Sequence, residues 1–168
     1  MNFELDVYEK TAEEKAQEVL KGLKKKSLKL VLAESCTAGL ISGLIANTEG
    51  ASSCLWGSFV CYTQEAKVFM LGLDNEKLCV CGLVSSETAD AMAANALKKS
   101  GANIAASITG LAGPSGDGSN VPVGTVWVSV ASDNGRTETN AFHFTGCRNS
   151  IRYQAAIAVL DGLIKVLS

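Results

Sequence analysis

The sequence predicts an α/β protein with a mixed sheet covered by helices on both faces. Segments with helical periodicity alternate with short apolar runs that are typical of buried strands. Near the carboxyl end, the Asn134-Gly135 pair separates two strand-like segments and predicts a tight hairpin. That hairpin requires at least one antiparallel pair in a sheet whose earlier strands alternate with helices.

Length, composition and charge exclude several classes of protein. The 168 residues, 47% of them hydrophobic, predict a single domain spanning residues 1–168. A net charge of −2 gives no excess of basic residues with which to bind nucleic acid or an anionic membrane. No apolar run approaches the roughly 18 to 20 residues of a spanning helix, and residues 1–6 are too acidic for a signal peptide. We therefore expect a cytoplasmic protein.

The first part of the chain reads as helix, strand and helix. Thr11 and Glu14 resemble a capping box that opens an amphipathic helix ending near Lys25. Residues 28–33 form a mostly apolar run that predicts a strand. After the polar turn at residues 34–39, helical periodicity resumes.

The middle of the chain repeats this alternation. Residues 56–62 predict a second strand, and residues 64–71 a short helix that Gly72 ends. Residues 85–101 have the capping serines and terminal glycine of another helix, and a buried strand is predicted at residues 104–109.

The last third contains a loop, a hairpin and a helix. Residues 110–124 hold five glycines and both prolines, which favours a functional loop or lid over regular structure. Strands are predicted at residues 125–131 and 137–144, and a final helix at residues 149–167.

Ser35 is a candidate nucleophile because it follows a buried strand in the turn that leads to a helix. The backbone N–H groups that follow it, near Cys36 and Thr37, lack intrahelical partners and could stabilise an oxyanion. The alternative is that Ser35 or Thr37 only caps the helix. The local sequence leaves both interpretations open.

The base for such a serine is not given by a known hydrolase motif. The chain has no G-x-S-x-G motif, no serine followed three residues later by lysine, and a single histidine, His143, within a predicted strand. Lys67 and Tyr62 are candidates, since a desolvated lysine can be neutral and a tyrosine can relay a proton. The alternative for Lys67 is an ordinary solvated helix position.

The glycine-rich segment that begins at Gly110 and continues through Gly113 could bring backbone amides close to a phosphate. It matches neither the dinucleotide-binding nor the Walker A pattern. A mobile connection is the alternative. The six cysteines read as reduced, mostly buried residues, and the spacing of Cys79, Cys81 and His143 is poor for zinc, so we expect no metal and no cofactor.

Four ordered motifs resemble the C-terminal domain of the CinA family, the nicotinamide-nucleotide amidases. They are residues 33–39 (AESCTAG), 57–67 (GSFVCYTQEAK), 107–114 (SITGLAGP) and 122–127 (PVGTVW). The resemblance covers roughly the whole chain and implies a three-layer α/β/α fold with a mixed, mostly parallel five-stranded sheet. It also implies a homo-oligomer, dimeric or larger.

The activity that the resemblance implies is hydrolysis of nicotinamide mononucleotide to nicotinate mononucleotide and ammonia. It assigns Ser35 as nucleophile, Lys67 as base and Tyr62 as a neighbour in the proton relay. It places Cys36, Thr37, Thr109, Gly110 and Gly113 at the substrate, and it assigns the phosphate to Arg148 in a Gly-x-Arg pattern.

Two positions depart from the family pattern. Ala38 replaces the first glycine of Glu-Ser-Cys-Thr-Gly-Gly, which matters if that position requires a positive φ. Cys147 replaces the aspartate of Gly-Asp-Arg and removes a charge that could orient Arg148. Two rival functions stay open: a non-catalytic nucleotide-binding or interaction module, and the same Ser-Lys pair acting on another amide.

Overall fold

The computed structural model describes residues 3–168, and its five strands form one sheet in the order β2-β1-β3-β4-β5. β1 is parallel to β2 and β3, whereas β4 is antiparallel to both β3 and β5. Four strands therefore point the same way, and the mixed, mostly parallel sheet is confirmed. The strands are β1 (Leu30–Glu34), β2 (Leu55–Val60), β3 (Ile104–Gly110), β4 (Thr125–Ser132) and β5 (Thr137–His143).

Helices cover both faces of this sheet. α1, α2 and α6 pack on one face, while α4 and α5 pack on the other together with the π turn Lys67–Leu71 that continues α3. The three-layer prediction is confirmed. The helices are α1 (Phe3–Lys26), α2 (Leu40–Ala46), α3 (Gln64–Ala66), α4 (Asn75–Cys81), α5 (Ser86–Ser100) and α6 (Arg148–Leu167).

The interior strand β1 shows why the sheet needs helices on both sides. All five of its residues are buried. Leu30 and Leu32 face the core under α1 and α6, whereas Val31 and Ala33 face the core under α5. This alternation is the period of two that a strand imposes on its side chains. The carboxyl end of β1 is thereby held firmly inside the sheet, between β2 and β3.

The amino-terminal helix begins earlier than the sequence indicates. α1 includes Phe3 and passes through Thr11, whose hydroxyl donates to the carbonyl oxygen of Val7 at 2.9 Å. The proposed capping box at Thr11 is therefore wrong, because a threonine inside a helix can satisfy its hydroxyl on the preceding turn. Residues 1 and 2 of the predicted domain and of the acidic amino-terminal segment lie outside the described residues.

The other differences are a missed helix and small shifts of boundaries. α4 was not predicted; Asp74 caps it by accepting from the backbone N–H of Glu76 and Lys77. Its seven residues are too few to show a clear helical period.

The predicted hairpin is confirmed: β4 and β5 pair antiparallel, and Gly135 adopts a φ of 86°. Among the described helices, none combines the length and apolar character that membrane crossing demands.

Candidate active site

Ser35 lies directly after β1, at the edge of the sheet where the parallel strands end. Its backbone N–H donates to the carbonyl oxygen of Ile108 on β3 at 3.1 Å, which fixes the residue to the neighbouring strand. The side chain is 6% exposed. The serine is therefore held by the sheet, at the point where open α/β sheets bind ligands.

Lys67 reaches Ser35 from the segment after β2. Its Nζ lies 2.9 Å from Ser35 Oγ and donates to the carbonyl oxygen of Cys61 at 2.8 Å. The lysine is 1% exposed. It begins the π turn that follows α3, a local widening of the helix that is frequent at functional sites. The structure therefore brings the predicted nucleophile and base into contact.

The surroundings of Lys67 favour its neutral form. Burial lowers the pKa of Lys67 below its usual value, because the ammonium loses its hydration inside the protein. No carboxylate forms an ion pair with Lys67 within residues 3–168. The remaining ionisable groups that act on it are the thiols of Cys61 and Cys36. A neutral amine in this position can accept the proton of Ser35.

Glu34 organises the turn and was missed by the sequence analysis. This buried carboxylate accepts hydrogen bonds from several groups. The donors are Thr37 Oγ1, the backbone N–H groups of Gly39, Ile41 and Ser42, and Ser58 Oγ. It thus satisfies the first amides of α2, which have no intrahelical acceptor. The only signal in the sequence is a charged residue at the end of an otherwise apolar strand.

Two amides of the turn remain available beside Ser35. The N–H of Ala38 donates to the Ser35 carbonyl at 3.0 Å, and the N–H of Gly39 donates to Glu34. Within residues 3–168, the N–H groups of Cys36 and Thr37 donate to no other residue, and the N–H of Cys36 contacts only its own thiol. Adjacent free amides after a nucleophile can bind an oxyanion.

The Ala38 departure has a structural consequence. Ala38 adopts a φ of 51°, in the left-handed region, and Gly39 follows with a φ of 89°. The family glycine therefore stands at a position that needs a positive φ. The methyl group of Ala38 places strain in the turn, since alanine lacks the freedom of glycine there.

The neighbouring thiol is not prepared for attack. Cys36 is 6% exposed, and burial raises the pKa of its thiol to about 12. A thiol with this pKa stays protonated near neutral pH, and the nucleophilic form of cysteine is the thiolate. Of the two adjacent residues, Ser35 is therefore the one whose side chain contacts a buried amine.

A cleft of about 210 Å³ opens in front of the turn. Its lining includes five of the predicted site residues: Cys36, Tyr62, Gly110, Gly113 and Arg148. The rest of the lining comes from the loop between β3 and β4: Leu111, Ala112, Ser115, Gly116 and Asp117. The glycine-rich loop is therefore part of the cleft wall.

Tyr62 and Arg148 contact each other at this cleft. Arg148 Nη2 donates to Tyr62 Oη at 2.6 Å, and Nη1 donates to the carbonyl oxygen of Gly113. The hydrogen bond of the Tyr62 hydroxyl is thus made with Arg148, and none joins it to Ser35 or Lys67 in the described chain. Arg148 begins α6, so its guanidinium adds to the positive end of that helix dipole.

Thr37 and Thr109 lie behind the cleft wall. Both are almost completely buried. Thr37 Oγ1 donates to Glu34 at 2.8 Å, and Thr109 Oγ1 donates to the carbonyl oxygen of Leu83 at 2.7 Å. Neither side chain belongs to the cleft lining. Of the two, Thr37 has a free backbone amide to offer the site.

A second arginine reaches the turn and was also missed. Arg152, one helical turn after Arg148 on α6, donates from Nη2 to the carbonyl oxygen of Thr37 at 2.6 Å. No pattern in the sequence predicts this contact, because the two residues are 115 positions apart.

Other parts of the described chain lack comparable chemistry. A cavity of about 470 Å³ lies between α6 and the end of the sheet, lined largely by apolar side chains of β4, β5 and α6. It is larger than the cleft, but none of the predicted site residues lines it. Ser35 and Lys67 line neither space: they are buried next to Cys36, which is part of the cleft wall. All six cysteines are free thiols, and residues 3–168 hold no group of three or more side chains placed to bind a metal ion.

Known proteins are similar to this chain in sequence and in fold. Residues 12–167 match the family of the CinA C-terminal domain. A CinA-like protein of Syntrophomonas wolfei is 44% identical over 133 residues, which cover 79% of this chain and 32% of that protein. A CinA-like protein of Mycobacterium tuberculosis is 41% identical over 140 residues, 83% of this chain and 33% of that protein. The chain thus spans about a third of the length of these curated relatives.

Two solved structures have a fold similar to that of this chain. The competence/damage inducible protein CihA of Agrobacterium tumefaciens superposes with a TM-score of 0.91 at 36% identity, covering 94% of this chain and 96% of its own. A CinA superfamily protein of Klebsiella pneumoniae gives 0.89 at 30% identity, covering 93% and 97%. The sequence match, the shared fold and the four motifs agree, and the chain belongs to the CinA C-terminal domain family.

Proposed function

We propose that this chain is an amidohydrolase that converts nicotinamide mononucleotide to nicotinate mononucleotide and ammonia. The observation that carries the proposal is the buried contact of 2.9 Å between Lys67 Nζ and Ser35 Oγ. A lysine with a lowered pKa beside a serine hydroxyl is a nucleophile with its own base.

In the acylation step, Ser35 Oγ attacks the carboxamide carbon and its proton passes to neutral Lys67. The new C–O bond forms as the carbonyl electrons move to oxygen, and the free amides of Cys36 and Thr37 bind the resulting oxyanion. When the tetrahedral intermediate collapses, the C–N bond breaks. Lys67 then gives its proton to the leaving nitrogen, which departs as ammonia.

In the deacylation step, water attacks the ester carbon and its proton passes to Lys67. The bond to Ser35 Oγ breaks, and Lys67 returns the proton to the serine. The product acid ionises to nicotinate mononucleotide. These steps use only side chains and backbone groups of this chain, so the mechanism requires no cofactor.

The cleft chemistry supports an anionic nucleotide. Arg148 is the cation in the lining, and its present partners are two neutral oxygens, those of Gly113 and Tyr62. A phosphate makes stronger, bidentate hydrogen bonds with a guanidinium than neutral acceptors do. Arg148 can therefore exchange these partners for phosphate oxygens. In this assignment the backbone of the glycine-rich loop, which forms part of the cleft wall, contacts the nucleotide.

The choice of substrate rests on the resemblance of the four motifs, because the names of the relatives give the family and no substrate. We also expect a homo-oligomer on that ground, which sedimentation at several protein concentrations would test. Tyr62 keeps its proposed place beside the reaction, although its hydroxyl contacts Arg148 and so acts on the dyad only through a bound ligand or water.

The test is ammonia release from a panel of amides: nicotinamide mononucleotide, nicotinamide riboside, nicotinamide and glutamine. We expect the mononucleotide to have the highest kcat/KM, because it alone offers both the carboxamide and the phosphate. Equal turnover of glutamine would assign the dyad to a different amide. No turnover of any amide, with tight binding of the mononucleotide, would identify a binding module.

A further inference from the structure

Arg152 holds the Ser35 turn from the side of α6. Its Nη2 donates to the carbonyl oxygen of Thr37 at 2.6 Å, and the side chain is partly buried. A charge-assisted hydrogen bond of this length is among the stronger ones in proteins. Arg152 is therefore a specific tie between α6 and the turn.

That tie acts on the part of the turn that contains the free amides. The Thr37 carbonyl follows the N–H groups of Cys36 and Thr37, which donate to no other residue of the described chain. Glu34 fixes the opposite side of the turn through Thr37 Oγ1 and the amide of Gly39. Thr37, which carries one of the two free N–H groups, is therefore held from both sides, and the backbone around it has little freedom to rotate.

The turn needs such support because it is strained. Ala38 adopts a φ of 51°, which alanine seldom populates. Residues in this conformation persist only where the surrounding structure holds them. Without Arg152, the Thr37 carbonyl would keep only the longer bond of 3.2 Å from the backbone N–H of Leu40. The strained backbone could then shift at Thr37, and the free N–H groups of Cys36 and Thr37, which lie in the two peptide groups before that carbonyl, would move with it.

We propose that Arg152 is a positioning residue, which orients the amides of Cys36 and Thr37 toward the oxyanion through its bond to the Thr37 carbonyl. The proposal rests on the serine mechanism given above. It separates the two arginines of α6 by role: Arg148 lines the cleft, whereas Arg152 does not. Arg148 acts on the phosphate, and Arg152 acts on the transition state.

The experiment compares Arg152→Ala and Arg152→Lys with Arg136→Ala, a control at the exposed β4–β5 turn. For Arg152→Ala we expect kcat to fall by about 10- to 100-fold, the range for groups that orient a site, with KM within about twofold. The loss should be the same for nicotinamide mononucleotide and nicotinamide riboside. Arg152→Lys should recover most of it, because lysine can still donate to the carbonyl.

A second readout does not depend on the substrate. A small alkyl fluorophosphonate labels an activated serine: the Ser35 Oγ–P bond forms, the P–F bond breaks, fluoride leaves and the proton passes to Lys67. We expect Arg152→Ala to slow this labelling by a factor similar to the loss in kcat. If the native protein labels at Ser35 but hydrolyses no nicotinamide mononucleotide, the proposed substrate fails and the role of Arg152 is still measured.

Two results would overturn the role of Arg152. One is a loss confined to KM and to the phosphorylated substrate, which would make Arg152 a phosphate ligand. The other is unchanged kcat and labelling once the folded fraction, measured by circular dichroism, is taken into account. That outcome would leave Arg152 as a contact between α6 and the turn.

Discussion

Lys67 Nζ lies 2.9 Å from Ser35 Oγ, although the two residues are 32 positions apart and belong to different segments of the chain. β1 and β2 are parallel neighbours, so the segments that follow them begin at the same edge of the sheet. The serine follows β1 and the lysine follows β2. The contact is therefore a direct product of the sheet topology.

The first prediction is that Lys67→Arg is nearly inactive although it keeps a positive charge. A guanidinium does not deprotonate in the working range of pH and so cannot accept the serine proton. In the native protein, kcat/KM should rise with pH through an apparent pKa below that of a free lysine, because burial lowers the pKa of Lys67. Substantial activity in Lys67→Arg would assign the proton to another group.

The second prediction concerns stability against pH, compared between the native protein and Lys67→Met. Burial lowers the folded pKa of Lys67 below the unfolded value of about 10.4. Between these two values the unfolded chain binds more protons, so the free energy of unfolding contributed by Lys67 rises with pH.

The measurement is the difference between the two proteins in denaturant midpoint from pH 6 to 10.5. The native protein should gain stability relative to Lys67→Met as the pH rises, because the remaining groups titrate in both. A difference that stays constant across this range would mean that Lys67 is as easily protonated when folded as when unfolded.

The third prediction is that Ala38→Gly stabilises the protein. Glycine removes the strain of a positive φ, by about 1 kcal/mol, or about 2–4 °C in Tm for a chain of this size. The matched control is Ala94→Gly at an exposed position inside α5, which should destabilise by about the same amount. Thermal unfolding followed by circular dichroism measures both, and a loss of stability in Ala38→Gly would refute the strain.

The fourth prediction separates phosphate recognition from catalysis. Arg148→Ala should lower kcat/KM for nicotinamide mononucleotide by about 10- to 150-fold, the scale of a charge-assisted hydrogen bond, and hardly affect nicotinamide riboside. Measuring both substrates with both proteins gives a double-difference cycle. Equal losses on the two substrates would show that Arg148 does not recognise the phosphate.

The sequence predicts those strands, helix caps and turns whose location depends on the pattern of neighbouring residues. The buried strand before Ser35, the caps of α5 at Ser85 and Gly101, and the hairpin at Gly135 follow from periodicity and turn chemistry, and the structure confirms them. The glycine-rich loop was likewise expected to have no regular structure, and residues 111–124 have none.

The rest depends on tertiary contacts that no local pattern contains. From its residue type alone, Lys67 reads as a solvated helix position. The π turn that directs it into the protein leaves no periodic pattern in the sequence. Only the family resemblance selects Lys67. Glu34 looks like the end of a strand until the amides around it are seen, and Arg152 acts on a residue 115 positions away.

The most direct test of the account is the yield of ammonia and nicotinate mononucleotide from nicotinamide mononucleotide after exhaustive metal chelation. The native protein and the Cys36→Ser variant should both be active, and each should release ammonia and nicotinate mononucleotide in equal amounts. Ser35→Ala should lose at least about 1,000-fold in rate, because it lacks the atom that forms the acyl-enzyme. Ammonia release by Ser35→Ala near the native rate, or loss of native activity that zinc restores, would contradict a serine nucleophile activated by Lys67.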